Sequence, residues 1–231
     1  MSPGPAMKLY AVAKLSPYAS RPRMAVYAGN LPVEVVAAPG DGGPHHPDYL
    51  AINPIGKLPA LVLDDGMVIV ESASIVEYFA DKFPEANLRP ASAEAKARGR
   101  MLARVAELYV LEGAVKLFSQ MDMTTRTWSV AKMDPKVVGD AFSHIDNHLE
   151  NLDWFLTGDT KCAAADTLTT ADCALVPVLG FVAPFAKALG REGFLDRHEK
   201  AHAYWTSVQS EPAASKIVAE MAEALGDRIK P

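Results

Sequence analysis

The sequence is poor in the features that identify secreted, membrane-spanning and nucleic-acid-binding proteins. It has two cysteines, Cys162 and Cys173, in 231 residues, too few for the disulfide framework of a small secreted protein. Its longest apolar stretch, residues 174–186, contains prolines and is shorter than a membrane span. Its 23 basic and 28 acidic residues include no basic block, which argues against a nucleic-acid surface. We therefore expect a cytoplasmic protein without nucleic-acid or membrane partners.

The composition is that of an ordinary globular protein, with 49% hydrophobic and 22% charged residues. A chain of this length can form one large domain or two small ones. Residues 1–6 (MSPGPA) lack the charged start and apolar run of a signal peptide. Two interpretations stay open, since either the natural chain begins at Met7 or residues 1–6 form a short disordered arm.

The first third of the chain alternates between strand and helix patterns. Strands are predicted over residues 7–15, 31–37, 58–63 and 67–70, and helices over residues 20–30 and 72–81. The first strand, helix and second strand form a βαβ unit, which predicts a parallel strand pair with a right-handed crossover. The remainder of this part follows as a ββα unit.

The rest of the chain has a purely helical pattern. Long helices are predicted over residues 93–121, 134–156 and 169–189, and shorter ones over residues 191–225. Asp134 and Pro135 are typical of a helix N-cap and first turn, whereas Pro177 and Pro184 are expected to interrupt the third helix. We therefore predict an α/β domain over residues 7–87 and an all-helical domain over residues 93–226.

The first candidate site is residues 16–21 (SPYASR), between the first predicted strand and helix. Backbone N–H groups and the helix dipole favour an anion at such a position. A plain helix N-cap explains Ser16 or Ser20 equally well. The segment contains no base and the chain has no G-x-S-x-G motif, which argues against a serine hydrolase.

The second candidate site is residues 53–61 (NPIGKLPAL). A proline in a strand cannot donate to the hydrogen-bond ladder, so Pro59 indicates a sheet edge or a special backbone geometry. A cis bond would turn the Leu58 backbone outward, towards a peptide-like ligand. An ordinary edge-strand proline is the alternative.

The third candidate site is Glu71 and Ser72, at the start of a predicted helix. As a helix cap, Ser72 can offer its hydroxyl and backbone N–H to a carboxylate, and Glu71 can pair with an ammonium group. The alternative is a plain N-cap beside a solvated glutamate.

These three segments occur in order on one βαβ-ββα frame, and together they resemble the thioredoxin-like N-terminal domain of the cytosolic glutathione transferases. The resemblance covers most of the chain because the helical part also fits. Its most specific piece is NPIGKLPAL followed by Glu71 and Ser72, and SPYASR is similar to the S-P-aromatic-x-x-R pattern of serine-type plant and bacterial members. Residues 169–172 (TTAD) are similar to the family's capping box, which concerns folding.

The resemblance implies that glutathione binds as co-substrate and that Ser16 donates a hydrogen bond to its sulfur. Ser20 is a rival donor within the same motif, and Arg21 supports the helix and its packing. Tyr10 and Tyr18 are alternative donors to the sulfur, as in tyrosine-type classes, but neither matches the serine-type pattern as well as Ser16.

The resemblance also implies contacts with the remaining parts of glutathione. Leu58 pairs its backbone with the cysteinyl part, next to a cis Pro59. Glu71 and Ser72 hold the γ-glutamyl end, and Lys57 lies near the glycyl carboxylate.

An apolar pocket for the electrophile is expected between the two domains. The candidate lining residues are Tyr18, Tyr109, Phe118, Met121, Met123 and Trp128. Core packing is an equally good interpretation of each one.

The function implied is that of a dimeric glutathione transferase that conjugates or cleaves hydrophobic electrophiles, in the manner of detoxification enzymes. A glutathione-dependent peroxidase, dehalogenase or ether-cleaving enzyme would share the thiolate, and a non-catalytic binding module is a third reading. Ser16 in place of a cysteine argues against omega-type thiol transfer. The absence of an SSCxxWRVR-like run argues against maleylacetoacetate isomerase activity. We expect no metal, because His45 and His46 lack partner ligands at a suitable spacing.

Overall fold

A computed structural model of the chain describes residues 7–40 and 43–231. Residues 1–6, whose origin the sequence leaves open, lie outside the described residues.

The N-terminal part contains a four-stranded mixed sheet. Its strands are β1 (Met7–Tyr10), β2 (Val33–Val36), β3 (Ala60–Val62) and β4 (Val68–Val70). Their spatial order is β2-β1-β3-β4, with β1 parallel to β2 and the other pairs antiparallel. This topology confirms the predicted βαβ-ββα frame.

The helices follow the predicted pattern, with different ends. They are α1 (Pro17–Gly29), α2 (Pro47–Leu50), α3 (Ser72–Lys82), α4 (Ala93–Val105), α5 (Leu111–Phe118), α6 (Pro135–Phe155), α7 (Thr170–Ala188), α8 (Glu199–Val208) and α9 (Pro212–Gly226). Strand β1 ends five residues earlier than predicted because a turn follows it, in which the Ser16 N–H donates to the Ala13 carbonyl at 3.0 Å. Helix α1 therefore begins at Pro17, and Ser16 lies at its N-terminus.

The predicted helix over residues 93–121 contains a π-helical turn. Helix α4 continues through this π-turn (Ala106–Val110) into α5, which ends at Phe118. A π-turn adds one residue to the helix, so the residues after it are rotated relative to an uninterrupted α-helix. The prediction of one uninterrupted helix over residues 93–121 is therefore wrong from Ala106 on.

Helix α7 forms the centre of the helical part. Pro177 and Pro184 lie inside it and do not interrupt it, contrary to the prediction. Packing against α1, α4 and α9 on several sides offsets the lost backbone hydrogen bonds. The helix is long and apolar enough to cross a membrane, but 78% of its apolar window is buried, as in the core helix of a globular protein.

The predicted capping box at the start of α7 is confirmed. The Asp172 carboxylate accepts from the Thr169 N–H at 2.8 Å, and the Thr169 hydroxyl oxygen accepts from the Ala171 N–H at 3.3 Å. Asp172 also accepts from the Ala163 N–H at 2.9 Å and the Tyr204 hydroxyl at 3.0 Å. The box thus joins α7 to the preceding loop and to α8 as well as capping the helix.

Candidate functional site

A polar cleft of about 200 Å³ lies beside the segment that leads into β3 and the start of α3. It is lined by Tyr18, Asn53, Ile55, Lys57, Leu58, Pro59, Val70, Glu71, Ser72 and Glu107. The five residues for which the resemblance implies contacts with the rest of glutathione all belong to this lining. We call this site the polar cleft.

Buried hydrogen bonds hold the segment before β3 in place. The Lys57 carbonyl accepts from the Tyr49 hydroxyl and from the Asn53 side-chain amide, each at 2.7 Å. Both donors are almost fully buried. The bond between Leu58 and Pro59 is cis, the more specific of the two alternatives that the sequence left open. Leu58 therefore enters the cleft from a backbone whose preceding residues are anchored in the interior.

Glu71 adopts an unusual backbone conformation, with φ at 69° and ψ at 117°. Residues other than glycine seldom adopt positive φ, and such strain concentrates at functional sites. Glu71, and not Ser72, occupies the N-cap position of α3, and its side chain makes no capping hydrogen bond. The expected cap role of Ser72 is therefore wrong by one residue, because the strained turn places Ser72 inside the first turn of the helix.

A buried arginine joins the polar cleft to the helical part. Arg21 Nη1 lies 3.3 Å from the Ser72 hydroxyl and 3.3 Å from the Glu107 carboxylate. Since a guanidinium can only donate, the Ser72 oxygen accepts, and the Ser72 hydroxyl hydrogen stays available to a ligand. Arg21 was expected only to support the packing of the helix, and Glu107 was not expected at the site. Neither contact has a local sequence pattern, because Arg21 and Ser72 are 51 residues apart and Glu107 lies in an unpredicted π-turn.

A second cavity of about 210 Å³ lies on the other side of Tyr18. It is lined by Ala13, Leu15, Ser16, Pro17, Tyr18, Leu111, Val115, Phe118 and Arg228. We call this site the apolar cavity. Because Tyr18 lines both sites, the polar cleft and the apolar cavity meet at its side chain, next to Ser16.

Ser16 and Ser20 differ in the partners of their hydroxyl groups. Ser16 is the N-cap of α1, and its hydroxyl oxygen accepts from the Ala19 N–H at 3.3 Å, so its own hydrogen is free to donate. Ser20 is fully buried, donates to the Lys14 carbonyl at 3.1 Å and accepts from Arg23 at 2.9 Å. The Ser20 hydroxyl is thus occupied in the interior.

Tyr18 offers a protonated phenol to both sites. Burial raises the pKa of its hydroxyl above the ordinary value, and the negative charge of Glu107 raises that pKa further. The nearby Arg21 charge acts in the opposite direction and is the smaller effect. At neutral pH the phenol is therefore a hydrogen-bond donor.

The expected pocket residues separate into two groups. Tyr18 and Phe118 line the apolar cavity, whereas Tyr109, Met121, Met123 and Trp128 do not. Trp128 is fully buried and donates from its indole N–H to the Leu117 carbonyl at 2.8 Å, so it is a core residue. The Tyr109 ring lies 5.3 Å from the His148 ring because the π-turn directs it towards α6. Met121 packs against the core, and Met123 is 76% exposed.

The histidine pair and the cysteines belong to other parts of the molecule. His46 Nδ1 accepts from the Asp48 N–H at 3.2 Å and so caps α2. Burial raises the pKa of the Cys162 thiol to about 12, and burial also raises the pKa of Cys173. Within residues 7–40 and 43–231, no group of three or more histidine, cysteine, aspartate or glutamate side chains could hold a metal ion.

Several known proteins are similar to this chain. Residues 10–87 match the family model for the glutathione S-transferase N-terminal domain. Glutathione S-transferase 3 of Zea mays is 31% identical over 92% of this chain and 93% of that protein. Maleylacetoacetate isomerase of Pseudomonas aeruginosa is 30% identical over 69% of this chain and 72% of that protein. A solved structure of glutathione S-transferase-I bound with lactoylglutathione is 26% identical, covers 93% of this chain and 99% of that one, and has a TM-score of 0.73.

Proposed function

The chain belongs to the glutathione transferase superfamily, and from that premise we propose that it activates glutathione for attack on hydrophobic electrophiles. In this proposal the peptide part of glutathione occupies the polar cleft and its sulfur lies beside Ser16. The electrophile occupies the apolar cavity. The observation that carries the proposal is the junction at Tyr18, where Ser16, the N-cap of α1, lines the apolar cavity next to the polar cleft.

The chemistry requires a thiolate at neutral pH. A free thiol has a pKa of about 8.5 and is mostly protonated there. Lowering that pKa by about 2 units takes about 2.7 kcal/mol of differential stabilisation. One hydrogen bond to a charged group contributes about 1.5–3 kcal/mol, and the positive end of the α1 dipole adds to it. Ser16 and its helix end are therefore sufficient in magnitude, without a metal ion or a separate base.

The contacts of the polar cleft follow from charge and donor type. The Glu71 carboxylate binds the ammonium group of the γ-glutamyl end, and the free hydroxyl hydrogen of Ser72 donates to its carboxylate. The Leu58 backbone pairs with the cysteinyl part, and the Lys57 ammonium lies near the glycyl carboxylate. In the reaction the sulfur forms a bond to an electrophilic carbon, and the electron pair of the broken bond departs with the leaving group.

We also propose that the protein is a homodimer, as members of this family are. Helix α4 and strand β4 expose apolar side chains that a partner subunit would cover, among them Met101 at 37% and Val68 at 37% exposure. Sedimentation of the purified protein would test the assembly independently of any chemistry.

The similarity to the relative from Pseudomonas aeruginosa makes isomerisation of maleylacetoacetate an alternative activity to test. Maleylacetoacetate isomerase would use the same thiolate, but residues 16–21 of this chain contain no cysteine and differ from the isomerase run. Reductive reactions, as in a peroxidase, a dehalogenase or an ether-cleaving enzyme, would differ in the apolar cavity only. A non-catalytic binding module would bind glutathione without ionising it.

The decisive experiment is ultraviolet difference absorbance of bound glutathione across pH, for the wild type, Ser16→Ala and Ser92→Ala. Ser92 caps α4 by the same kind of bond, with its hydroxyl oxygen 3.1 Å from the Ala95 N–H. Both variants lose a helix cap, at about 1 kcal/mol each. We expect a thiolate well below the free thiol's pKa in the wild type and Ser92→Ala, and its loss in Ser16→Ala with glutathione still bound.

Two outcomes would contradict the proposal. If glutathione bound to the wild type titrates like the free thiol, the protein binds glutathione without activating it and is a binding module. A thiolate that persists in Ser16→Ala would move activation to the backbone amides. Assays with a chloronitrobenzene, a hydroperoxide and maleylacetoacetate would then distinguish conjugation, reduction and isomerisation.

A further inference from the structure

The apolar cavity contains one charged side chain, that of Arg228. Within the part of the chain that the structure describes, every other lining residue is apolar or carries a hydroxyl group. Arg228 thus lines the same cavity as Leu111, Val115, Phe118 and Ser16.

The backbone of Arg228 is anchored to the core. Its carbonyl accepts from the Trp128 N–H at 2.8 Å, and its N–H donates to the Leu225 carbonyl at 2.9 Å. The next two residues form β6 (Ile229–Lys230), which pairs in parallel with β5 (Trp128–Ser129). Since Trp128 is fully buried, these bonds hold the C-terminal segment, and with it the Arg228 backbone, against the core beside the apolar cavity.

Arg228 lacks the partner that comparable arginines have. Arg21, Arg23 and Arg89 are the other arginines that are not exposed, and each forms an ion pair with a glutamate at 3.3, 3.2 and 2.6 Å. No carboxylate among residues 7–40 and 43–231 lies within 4.0 Å of the Arg228 guanidinium. Among the described residues no carboxylate competes for Arg228, so an anionic ligand group can form charge-assisted hydrogen bonds with its guanidinium.

We propose that Arg228 determines specificity by binding an anionic group of the electrophile, so that the co-substrate class is an apolar electrophile that carries a carboxylate. The proposal rests on the proposed function in one respect, namely that the electrophile occupies the apolar cavity. The planar guanidinium matches a carboxylate with two parallel hydrogen bonds. The apolar body of the electrophile then packs on Phe118 and Val115 while its reactive carbon faces the sulfur at Ser16.

A binding experiment tests this proposal without any catalysis. The probes are anilinonaphthalene sulfonate and phenylnaphthylamine, which share an apolar body and differ in the anionic group. Fluorescence titration compares the wild type, Arg228→Met and Arg228→Lys. The control is Arg191→Met, since Arg191 lines a different cavity and its guanidinium lies 4.8 Å from the Phe142 ring centroid. A Val115→Trp variant, which fills the apolar cavity, identifies the fluorescence that arises there.

We expect Arg228→Met to lower the affinity for the sulfonate probe about tenfold and to change the affinity for the neutral probe by less than about twofold. Arg228→Lys should keep part of the preference, and Arg191→Met should keep all of it. Equal affinity of Arg228→Met and the wild type for the sulfonate probe would overturn the proposal. So would an equal loss for both probes, which would make Arg228 a packing residue.

Kinetics with a chloronitrobenzoate and its carboxamide provide the second test. The ratio of kcat/KM for the carboxylate over the carboxamide should fall about tenfold in Arg228→Met, with the KM for glutathione unchanged. A raised KM for glutathione would assign Arg228 to the peptide instead and would overturn the proposal. If the wild type converts neither compound, the proposed conjugation fails for this class, and the probe titration still decides the role of Arg228.

Discussion

The polar cleft and the apolar cavity share Tyr18 but are built in different ways. Most of the polar cleft comes from one continuous stretch, residues 53–72, whose backbone is held by buried hydrogen bonds to Lys57. The apolar cavity joins three distant segments, namely residues 13–18, residues 111–118 and Arg228. A site made of one local segment depends on backbone geometry, whereas a site made of distant segments depends on how helices pack.

The polar cleft and the apolar cavity also differ in the kind of ligand that each can bind. The polar cleft offers charges, a hydroxyl and backbone groups, which suit a ligand of fixed polar structure. The apolar cavity is shaped by side chains such as Phe118, whose ring stacks on Phe181 at 5.2 Å. Apart from Tyr18, none of its lining residues also lines the polar cleft. Four substitutions test this difference between the two sites.

The largest effect is expected from Arg21→Met, which removes the buried contacts of Arg21 with Ser72 in the polar cleft and with Glu107 in the helical part. Its side chain is 5% exposed and pairs with Glu107, which is 13% exposed. Removing one partner of such a buried pair should lower the free energy of unfolding by about 3 kcal/mol and weaken glutathione binding. Urea unfolding and calorimetric titration would measure both.

The control is Arg104→Met, because Arg104 contacts the same Glu107 carboxylate at 3.2 Å from a side chain that is 57% exposed. We expect a loss below about 1 kcal/mol there. Equal losses for the two variants would mean that burial of Arg21 does not matter.

Trp128→Phe tests whether the residue belongs to the core or to the apolar cavity. The substitution removes the hydrogen bond to Leu117 and part of a fully buried ring, which should cost about 2 kcal/mol of unfolding free energy. The KM for the electrophile should change little. Trp154→Phe, at a side chain that is 76% exposed, should be neutral. A raised KM for the electrophile with unchanged stability would show that Trp128 contacts the electrophile and does not act as a core residue.

Val115→Trp tests the independence of the two sites. Val115 lines the apolar cavity and is 50% exposed, so a larger side chain can fill the space without strain in the core. We expect electrophile affinity to fall about tenfold, or about 1.4 kcal/mol, with glutathione affinity unchanged. Leu108→Trp, at an exposed residue outside both linings, is the control. A parallel loss of glutathione affinity would contradict the separation.

The smallest effect concerns Tyr109 and the pH dependence of His148. Burial lowers the pKa of His148, and the neighbouring His144 lowers it further. Because the fold keeps His148 neutral where the unfolded chain protonates it, stability falls as the pH drops below about 6.5. Tyr109→Ala should expose the imidazole ring of His148 to water and raise the pKa of His148. Proton NMR titration would measure this change, and the kinetics with the electrophile should stay the same. An unchanged titration would show that Tyr109 does not shield His148.

Prediction from sequence succeeded where a local pattern carries the information. The βαβ-ββα order, the Asp134 cap of α6 and the capping box of α7 all depend on neighbouring residues, and the structure confirms each. The cis bond before Pro59 is likewise present. The prolines of α7 were misjudged because local preference expects a break, which packing on several sides overrides.

Prediction failed at the π-turn Ala106–Val110, which the sequence does not reveal. Within this turn Tyr109 packs against His148 of α6, and Glu107 lines the polar cleft. Arg228 could not have been placed either, because its position depends on the pairing of β5 with β6, which lie a hundred residues apart. Neither feature has a local pattern that would reveal it.

The order of elements and the caps of α6 and α7 follow from the sequence, and the resemblance adds residues 57–59 and 71–72 of the polar cleft, because each depends on residues close together in the chain. Tertiary structure alone decided which serine is free at the end of α1, how Arg21 joins Ser72 to Glu107, and that Arg228 lies in the apolar cavity. Those contacts join residues that are far apart in sequence, and they form only when the helices pack and exclude water from the core.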